Sequence, residues 1–202
     1  MKETATNYSL LNVHFGSVPN LKKGGYLVLV NADLLPPHVM MVMDGCYYSL
    51  GVNGVKIAEP VDGLMRMLVG RNRMVVFVEL TLNSLEGIAV ELQKAFEPVS
   101  VSGGLGKIGL NANTKPEDSV SVRTCLSPIR AFFEYHFNWQ LAAVSTVFQL
   151  LGQLYASNLV GNVFVLNNKL PIEQEGVLTL PKYDVQTIQQ HIQNLKLKQY
   201  AS

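Results

Sequence analysis

Short apolar runs separated by turn residues dominate the first third of the chain and predict β-strands. Residues 26–30 and 39–43 form two such runs, and a third follows at 46–50. Asp44 and Gly45 lie between the second and third runs. Because Asp-Gly between apolar runs is a strong signal for a two-residue turn, these two runs are predicted to form a β-hairpin.

The pattern then changes between strand and helix periods. A short strand is predicted over 55–58, and a valine-rich strand is predicted over 73–80. An amphipathic segment over 60–68 lies between them. Residues 81–96 carry apolar side chains at helical spacing and predict a helix, with Ser84 as its candidate cap.

The remainder of the chain is predicted to be mainly helical after a long loop. The polar, glycine-rich stretch over 100–121 is typical of a loop. Helices are predicted within 125–137, over 139–159 and over 185–198, with a strand over 163–166. Together these elements predict one mixed α+β domain with an α-rich C-terminal part.

Composition excludes several classes of protein. The chain has 202 residues, of which 48% are hydrophobic and 15% charged, with 16 Lys and Arg against 15 Asp and Glu. This balance excludes intrinsic disorder and nucleic-acid binding by bulk positive charge. Two cysteines are too few for a disulfide-built protein, and they suit a reducing cytoplasm. No apolar run follows the N-terminal lysine, so export is not expected unless a leader has been removed.

A long uncharged stretch, residues 137–168, has the length of a membrane span. Its polar side chains, such as Gln140 and Gln149, are costly in hydrocarbon, and Gly161 with Asn162 interrupts it. A buried or oligomer-forming helix is therefore preferred to a transmembrane helix, with a membrane-surface contact as a further alternative. If the chain itself does not cover this stretch, a second copy could do so.

Neither a nucleotide site nor a metal site is predicted. Residues 104–109 match G-x-G-x-x-G, but the polar segment 110–116 follows where a nucleotide-binding fold needs a helix. A loop is the preferred interpretation. Metal ligands often come from closely spaced positions, whereas the four histidines are scattered. They are His14, His38, His136 and His191. No cofactor is therefore expected.

One cysteine and one histidine could carry chemistry together. His38 opens a predicted strand, and Cys125 lies just before a predicted helix. The partial positive charge at a helix N-terminus lowers a thiol pKa, and a nearby imidazole can accept the proton. The structural alternative is that Cys125 is a small buried residue and His38 an ordinary histidine at a strand end.

The hairpin region resembles a known superfamily. Residues 24–57 resemble the permuted branch of the papain-like NlpC-type superfamily, which includes lecithin:retinol acyltransferase-like and YiiX-like proteins. In that branch a strand carrying the catalytic histidine, in a pattern like H-V-x-h-h-x-x-G-x-Y-h-h, precedes a cysteine at a helix N-terminus. The matching positions are His38, Val39, Gly45, Tyr47 and Tyr48. Thr124-Cys125 follows later, and the resemblance covers roughly residues 22–137.

The resemblance implies both a fold and an activity. The expected fold is a small antiparallel sheet packed on helices, with a papain-like core over about 22–137 and a helical part over 138–202 of a single domain spanning 1–202. The expected activity is that of a cysteine peptidase, amidase or acyltransferase that passes through a thioester on Cys125. The substrate would be a peptide, an amide or an acyl compound.

The family usually supplies a third polar residue that orients the imidazole. With a two-residue turn, the expected pairs are Met43 with Cys46, Met40 with Ser49 and His38 with Gly51. The expected polar position is therefore the glycine, Gly51. Ser49 and Asn53 are the diagonal neighbours on the same face, and Asn53 is preferred to Ser49 as an orienting amide.

The start of the helix after Cys125 has two interpretations. Ser127-Pro128 is a favourable helix start, which leaves Cys125 upstream of the cap. If Thr124 caps instead, Cys125 enters the first turn, but Pro128 then lacks a hydrogen-bond donor there. With these departures, three interpretations of the function remain. One is a thiol hydrolase or acyltransferase, and the alternative is a catalytically inactive papain-like binding or assembly module. The third is an unrelated α+β protein in which His38 and Cys125 do not meet.

Overall fold

A computed structural model describes residues 7–51, 54–82, 87–101 and 124–200. In this part of the chain the strands are β1 Asn7–Leu11, β2 Val13–Phe15, β3 Gly25–Val30, β4 His38–Met43, β5 Cys46–Gly51, β6 Gly54–Pro60, β7 Val75–Leu80, β8 Val160–Leu166 and β9 Val177–Pro181. The helices are α1 Val61–Gly70, α2 Ile88–Val101, α3 Ser127–Phe137, α4 Val147–Ala156 and α5 Val185–Tyr200.

Seven strands form one mixed sheet in the order β2-β8-β7-β3-β4-β5-β6, and β1 pairs with β9 in a separate two-stranded sheet. β2 runs parallel to β8, while the other neighbours in the large sheet are antiparallel. The predicted α+β class is confirmed. The expectation of a small antiparallel sheet is wrong, because β2, β7 and β8 extend the sheet beyond the hairpin and add a parallel pair.

The β4–β5 hairpin forms around the Asp-Gly turn as predicted. Asp44 and Gly45 have φ angles of 44° and 82°, as both central residues of a type I′ turn require. The Asp44 side chain also accepts a hydrogen bond from the Gly24 amide at 3.0 Å. Met43 pairs with Cys46, which confirms the predicted register.

The two faces of the sheet carry different helices. Val39 and Met41 of β4 belong to a core cluster shared with α2, α3 and α4, and this side is called the three-helix face. Met40 and Val42 belong to a second cluster with α1, and this side is called the α1 face. Successive side chains of a strand point to opposite faces, so each residue of β4 is assigned to a face by its position.

Two predicted helices differ in their boundaries. The helix expected over 81–96 begins later, since α2 starts at Ile88 and Thr81 is not helical. The candidate cap Ser84 lies outside the described residues. At its other end α2 continues to Val101, into the stretch predicted as a loop, and residues 102–123 are likewise outside the described part. The predicted G-x-G-x-x-G loop therefore lies outside the described residues.

The uncharged stretch is mostly incorporated into the core. The helix predicted over 139–159 is too long, because only Val147–Ala156 forms α4 and a turn precedes it. Its apolar residues Leu150, Leu151 and Leu154 are fully buried. β8 lies inside the sheet between β2 and β7. The apolar surface that suggested an oligomer contact is thus covered largely by the chain itself.

The alternative of a transmembrane helix is tested by the length and apolar character of the helices. Within the described ranges, no helix combines the length and the apolar character needed to cross a bilayer.

A capping box explains why α4 begins where it does. The Thr146 hydroxyl accepts a hydrogen bond from the Gln149 amide at 3.4 Å, and the Gln149 side chain accepts one from the Thr146 amide at 3.0 Å. These two bonds satisfy backbone donors that the helix itself leaves unpaired.

Replacing Thr146 by Ala should lower the free energy of unfolding by about 1 kcal/mol, because one helix donor loses its acceptor. Urea denaturation measures the change. Ser145→Ala is the matched control, since only the backbone amide of Ser145 takes part in the capping contacts. An equal loss in the two variants would contradict a role for the Thr146 hydroxyl.

Candidate functional site

His38 and Ser49 are brought together on the α1 face. His38 is the first residue of β4, and Ser49 of β5 is paired with Met40, two residues further along β4. The His38 Nε2 and Ser49 Oγ atoms are 2.9 Å apart and share a hydrogen bond. Ser49 is only 6% exposed. Of the two candidate orienting residues, Ser49 makes this contact, and Asn53 lies outside the described residues.

The surroundings of His38 favour its neutral form. Burial lowers the pKa of His38 from 6.5 to about 4, and the positive charge of Arg73 acts in the same direction. Arg73 precedes β7 and was not identified from the sequence. Nothing in the linear pattern indicates that β7 lies two strands away from β4, with only β3 between them.

Cys125 lies outside the helix that follows it. α3 begins at Ser127, with Leu126 as its N-cap residue and Pro128 in the first turn. The Ser127 hydroxyl accepts a hydrogen bond from the Thr124 amide at 2.9 Å, which closes a short turn around Cys125. Of the two sequence interpretations, the one that places Cys125 upstream of the cap is observed, although Leu126 rather than Ser127 is the cap residue.

Burial keeps Cys125 in its thiol form. Burial raises the pKa of Cys125 and is the dominant effect. The backbone N–H groups of Val39, Leu126 and Cys125 itself lower this pKa, but they do not outweigh burial. Cys125 also packs against the cluster of the three-helix face. A partly buried thiol of raised pKa has the properties of a small apolar residue rather than of an activated nucleophile.

Cys125 and His38 lie on opposite faces of the sheet. Cys125 packs on the three-helix face, where Val39 and Met41 point. His38 is one residue from Val39 and two from Met40, so its side chain points to the α1 face, in agreement with its hydrogen bond to Ser49. Cys125 contacts the backbone amide of Val39. The hydrogen bond described for the His38 ring is to Ser49, and the thiol–imidazole pair stays a prediction.

A second polar group joins three strands at the other end of the α1 face. His14 Nε2 lies 3.3 Å from Asn162 Oδ1, and the Asn162 side-chain nitrogen donates to Glu79 at 2.9 Å. The Glu79 carboxylate also accepts a hydrogen bond from the backbone amide of Asn162 at 3.0 Å. A Cβ atom on Gly161 would lie 2.8 Å from this carboxylate, so a larger residue there would require the Glu79 side chain to move. These hydrogen bonds link β2, β8 and β7 to one another.

Metal binding has no support in the geometry. In residues 7–51, 54–82, 87–101 and 124–200, no three His, Cys, Asp or Glu side chains are grouped so that they could hold an ion. His136 makes a hydrogen bond with Glu91 that connects α3 to α2. This hydrogen bond gives His136 a structural role as a link between two helices.

Comparisons with family models, with curated proteins and with solved structures found no match to this chain. The resemblance to the permuted papain-like branch therefore stays a prediction from the sequence, and the observed geometry defines the chain as a mixed α+β protein.

The buried His38 should make stability depend on pH. Because its pKa is lowered in the folded protein, the unfolded chain binds more protons between pH 6.5 and about 4. Stability should therefore be fully present above pH 6.5 and should fall as the pH drops towards 4. The loss from this group by pH 4.5 should be about 2 to 3 kcal/mol.

His38→Gln retains a hydrogen-bonding side chain that does not titrate. Urea denaturation at pH 7 and pH 4.5 should show a smaller loss for this variant than for the parent protein. If the two proteins lost equal stability, the buried neutral imidazole would not be the source of the pH dependence.

Proposed function

We propose that this chain is a binding or assembly module with a fold of the permuted papain-like kind, and that it does not use Cys125 as a catalytic nucleophile. The observation that carries the proposal is that the His38 ring is hydrogen-bonded to Ser49 on the α1 face, whereas Cys125 packs against the cluster of the three-helix face. Thiol catalysis needs a base within hydrogen-bond reach of the sulfur. The nearest polar partner of His38 is instead Ser49.

The relative order of the elements supports the architectural part of the proposal. A histidine opens β4, an antiparallel hairpin follows, and a cysteine later precedes a helix that packs on the same sheet. This order matches the family pattern that the sequence resembles. The difference from the family pattern is one of orientation. The helix that follows Cys125 packs on the three-helix face, whereas the His38 side chain points to the α1 face.

A thiol hydrolase or acyltransferase acting on peptide, amide or acyl substrates is the second candidate. The observation in its favour is the set of backbone N–H groups, from Val39, Cys125 and Leu126, that approach the sulfur. Backbone donors of this kind stabilise anionic centres in acyl transfer. In this candidate Cys125 would form a thioester, with a base other than His38 in its observed orientation.

Alkylation by iodoacetamide separates the two candidates. In the parent protein, peptide mapping should show that Cys125 reacts slowly between pH 5 and 7, because its raised pKa keeps the thiol protonated. Cys46 is partly buried, as Cys125 is, and serves as the internal reference thiol. The rate at Cys125 should be unchanged in His38→Ala, since the imidazole lies on the other face.

The opposite result would support the enzyme. Rapid labelling of Cys125 well below the ordinary thiol pKa of about 8.5, with a large fall in His38→Ala, would establish a thiolate–imidazole pair and overturn the proposed function. Rapid labelling that does not depend on His38 would also overturn it and would indicate that a different base acts on the sulfur.

A further inference from the structure

A cleft of about 350 Å³ lies between the β1–β9 pair and the first turns of α4 and α5. Its volume is within the range of small-ligand sites, which is about 300 to 1,000 Å³. The cleft is lined by residues from three segments, Tyr8, 145–149 and 182–185, and it includes none of the candidate catalytic residues predicted from the sequence. Its lining takes no part in the hydrogen bond between His38 and Ser49, although Tyr183 lies close enough to Cys125 for the thiol to contribute to its raised pKa.

One wall of the cleft is a continuous row of aromatic rings. The centroids of Tyr8 and Phe148 are 5.2 Å apart, and those of Phe148 and Tyr183 are also 5.2 Å apart. The rings are tilted by 33° and 58° to one another, so the wall is not flat. Because aromatic rings pack favourably in tilted and edge-to-face arrangements, the wall can accommodate one more aromatic ring.

The same wall carries hydrogen-bond donors. The Lys182 ammonium lies 5.7 Å from the centroid of the Tyr8 ring, and in the described part of the chain it has no carboxylate within ion-pair distance. The Tyr183 hydroxyl accepts a hydrogen bond from the Val147 backbone amide at 3.4 Å, so its own proton is available for donation to a ligand. Burial raises the pKa of Tyr183, and it raises that of Tyr8 to about 12, so both phenols remain donors at neutral pH.

The carboxylate beside the cleft is already engaged. Asp184 Oδ1 accepts hydrogen bonds from the amide and the hydroxyl of Thr187, both at 2.8 Å, and so caps the first turn of α5. These bonds lower the pKa of Asp184 and keep it charged. Asp184 lines the cleft and keeps its negative charge, but its Oδ1 atom is engaged by Thr187, so Lys182 is the positively charged side chain of the lining that a ligand can contact.

We propose that the cleft binds a small aromatic carboxylate, with the ring on the Tyr8–Phe148–Tyr183 wall and the carboxylate on the Lys182 ammonium. This inference rests on the proposed binding function and gives it a site and a ligand class. Carboxylates form their strongest hydrogen bonds with charged donors, and a nearby phenol adds a second donor. An uncharged ring of the same shape would keep only the packing.

Calorimetric titration with 4-hydroxybenzoate and its neutral counterpart 4-hydroxybenzamide tests the proposal. In the parent protein the carboxylate should bind at least about tenfold more tightly than the amide. Lys182→Gln should reduce this preference to less than about threefold while leaving the amide affinity unchanged. Lys94→Gln, which removes an exposed charge from α2, is the matched control and should keep the full preference.

Three results would overturn the proposal. They are equal affinity for the two probes in the parent protein, an undiminished preference in Lys182→Gln, and no binding of either probe up to about 10 mM. Tyr183→Phe provides a second variant that keeps the ring wall, and it should weaken the carboxylate several-fold. These results do not depend on alkylation of Cys125, so failure of this site and failure of the proposed function are distinguishable.

Discussion

The burial of β3 and β4 on both faces is the constraint on which the rest of the structure depends. Every side chain of β3 is buried, and so is every side chain of β4 after His38. Because successive residues alternate between faces, two separate apolar layers must cover this pair. α1 covers one face, and α2, α3 and α4 cover the other. α2, α3 and α4 are held against the sheet by this requirement.

The same alternation decides the chemistry at the end of β4. His38 and Val39 are neighbours in the chain, but they belong to different layers. The His38 ring is therefore hydrogen-bonded to Ser49, and the positive charge of Arg73 lowers its pKa. The backbone amide of Val39 instead contacts the Cys125 thiol. Both titratable groups are held in their uncharged forms by burial. A neutral imidazole and a neutral thiol, both partly buried, fit a packed module better than a reactive centre.

Some local features could be predicted from the sequence because local forces determine them. The Asp44-Gly45 turn needs positive φ angles, and it sets the register that brings Ser49 near His38. β1, β2 and β9 were missed, because they are short and are stabilised by partners that are distant in the chain. The early part of the predicted 139–159 helix was wrong, since apolar character alone does not distinguish a helix from a packed turn.

The sequence by itself determined the mixed α+β class, the hairpin with its register and the existence of the main helices, because periodicity and turn chemistry act over a few residues. Only the tertiary structure decided which face each strand residue occupies. It placed Ser49 beside His38 and buried most of the apolar side chains of the uncharged stretch in the core. It also brought Tyr8, Phe148 and Tyr183 into one wall. These outcomes depend on long-range strand pairing and on competition for buried surface, which no local pattern encodes.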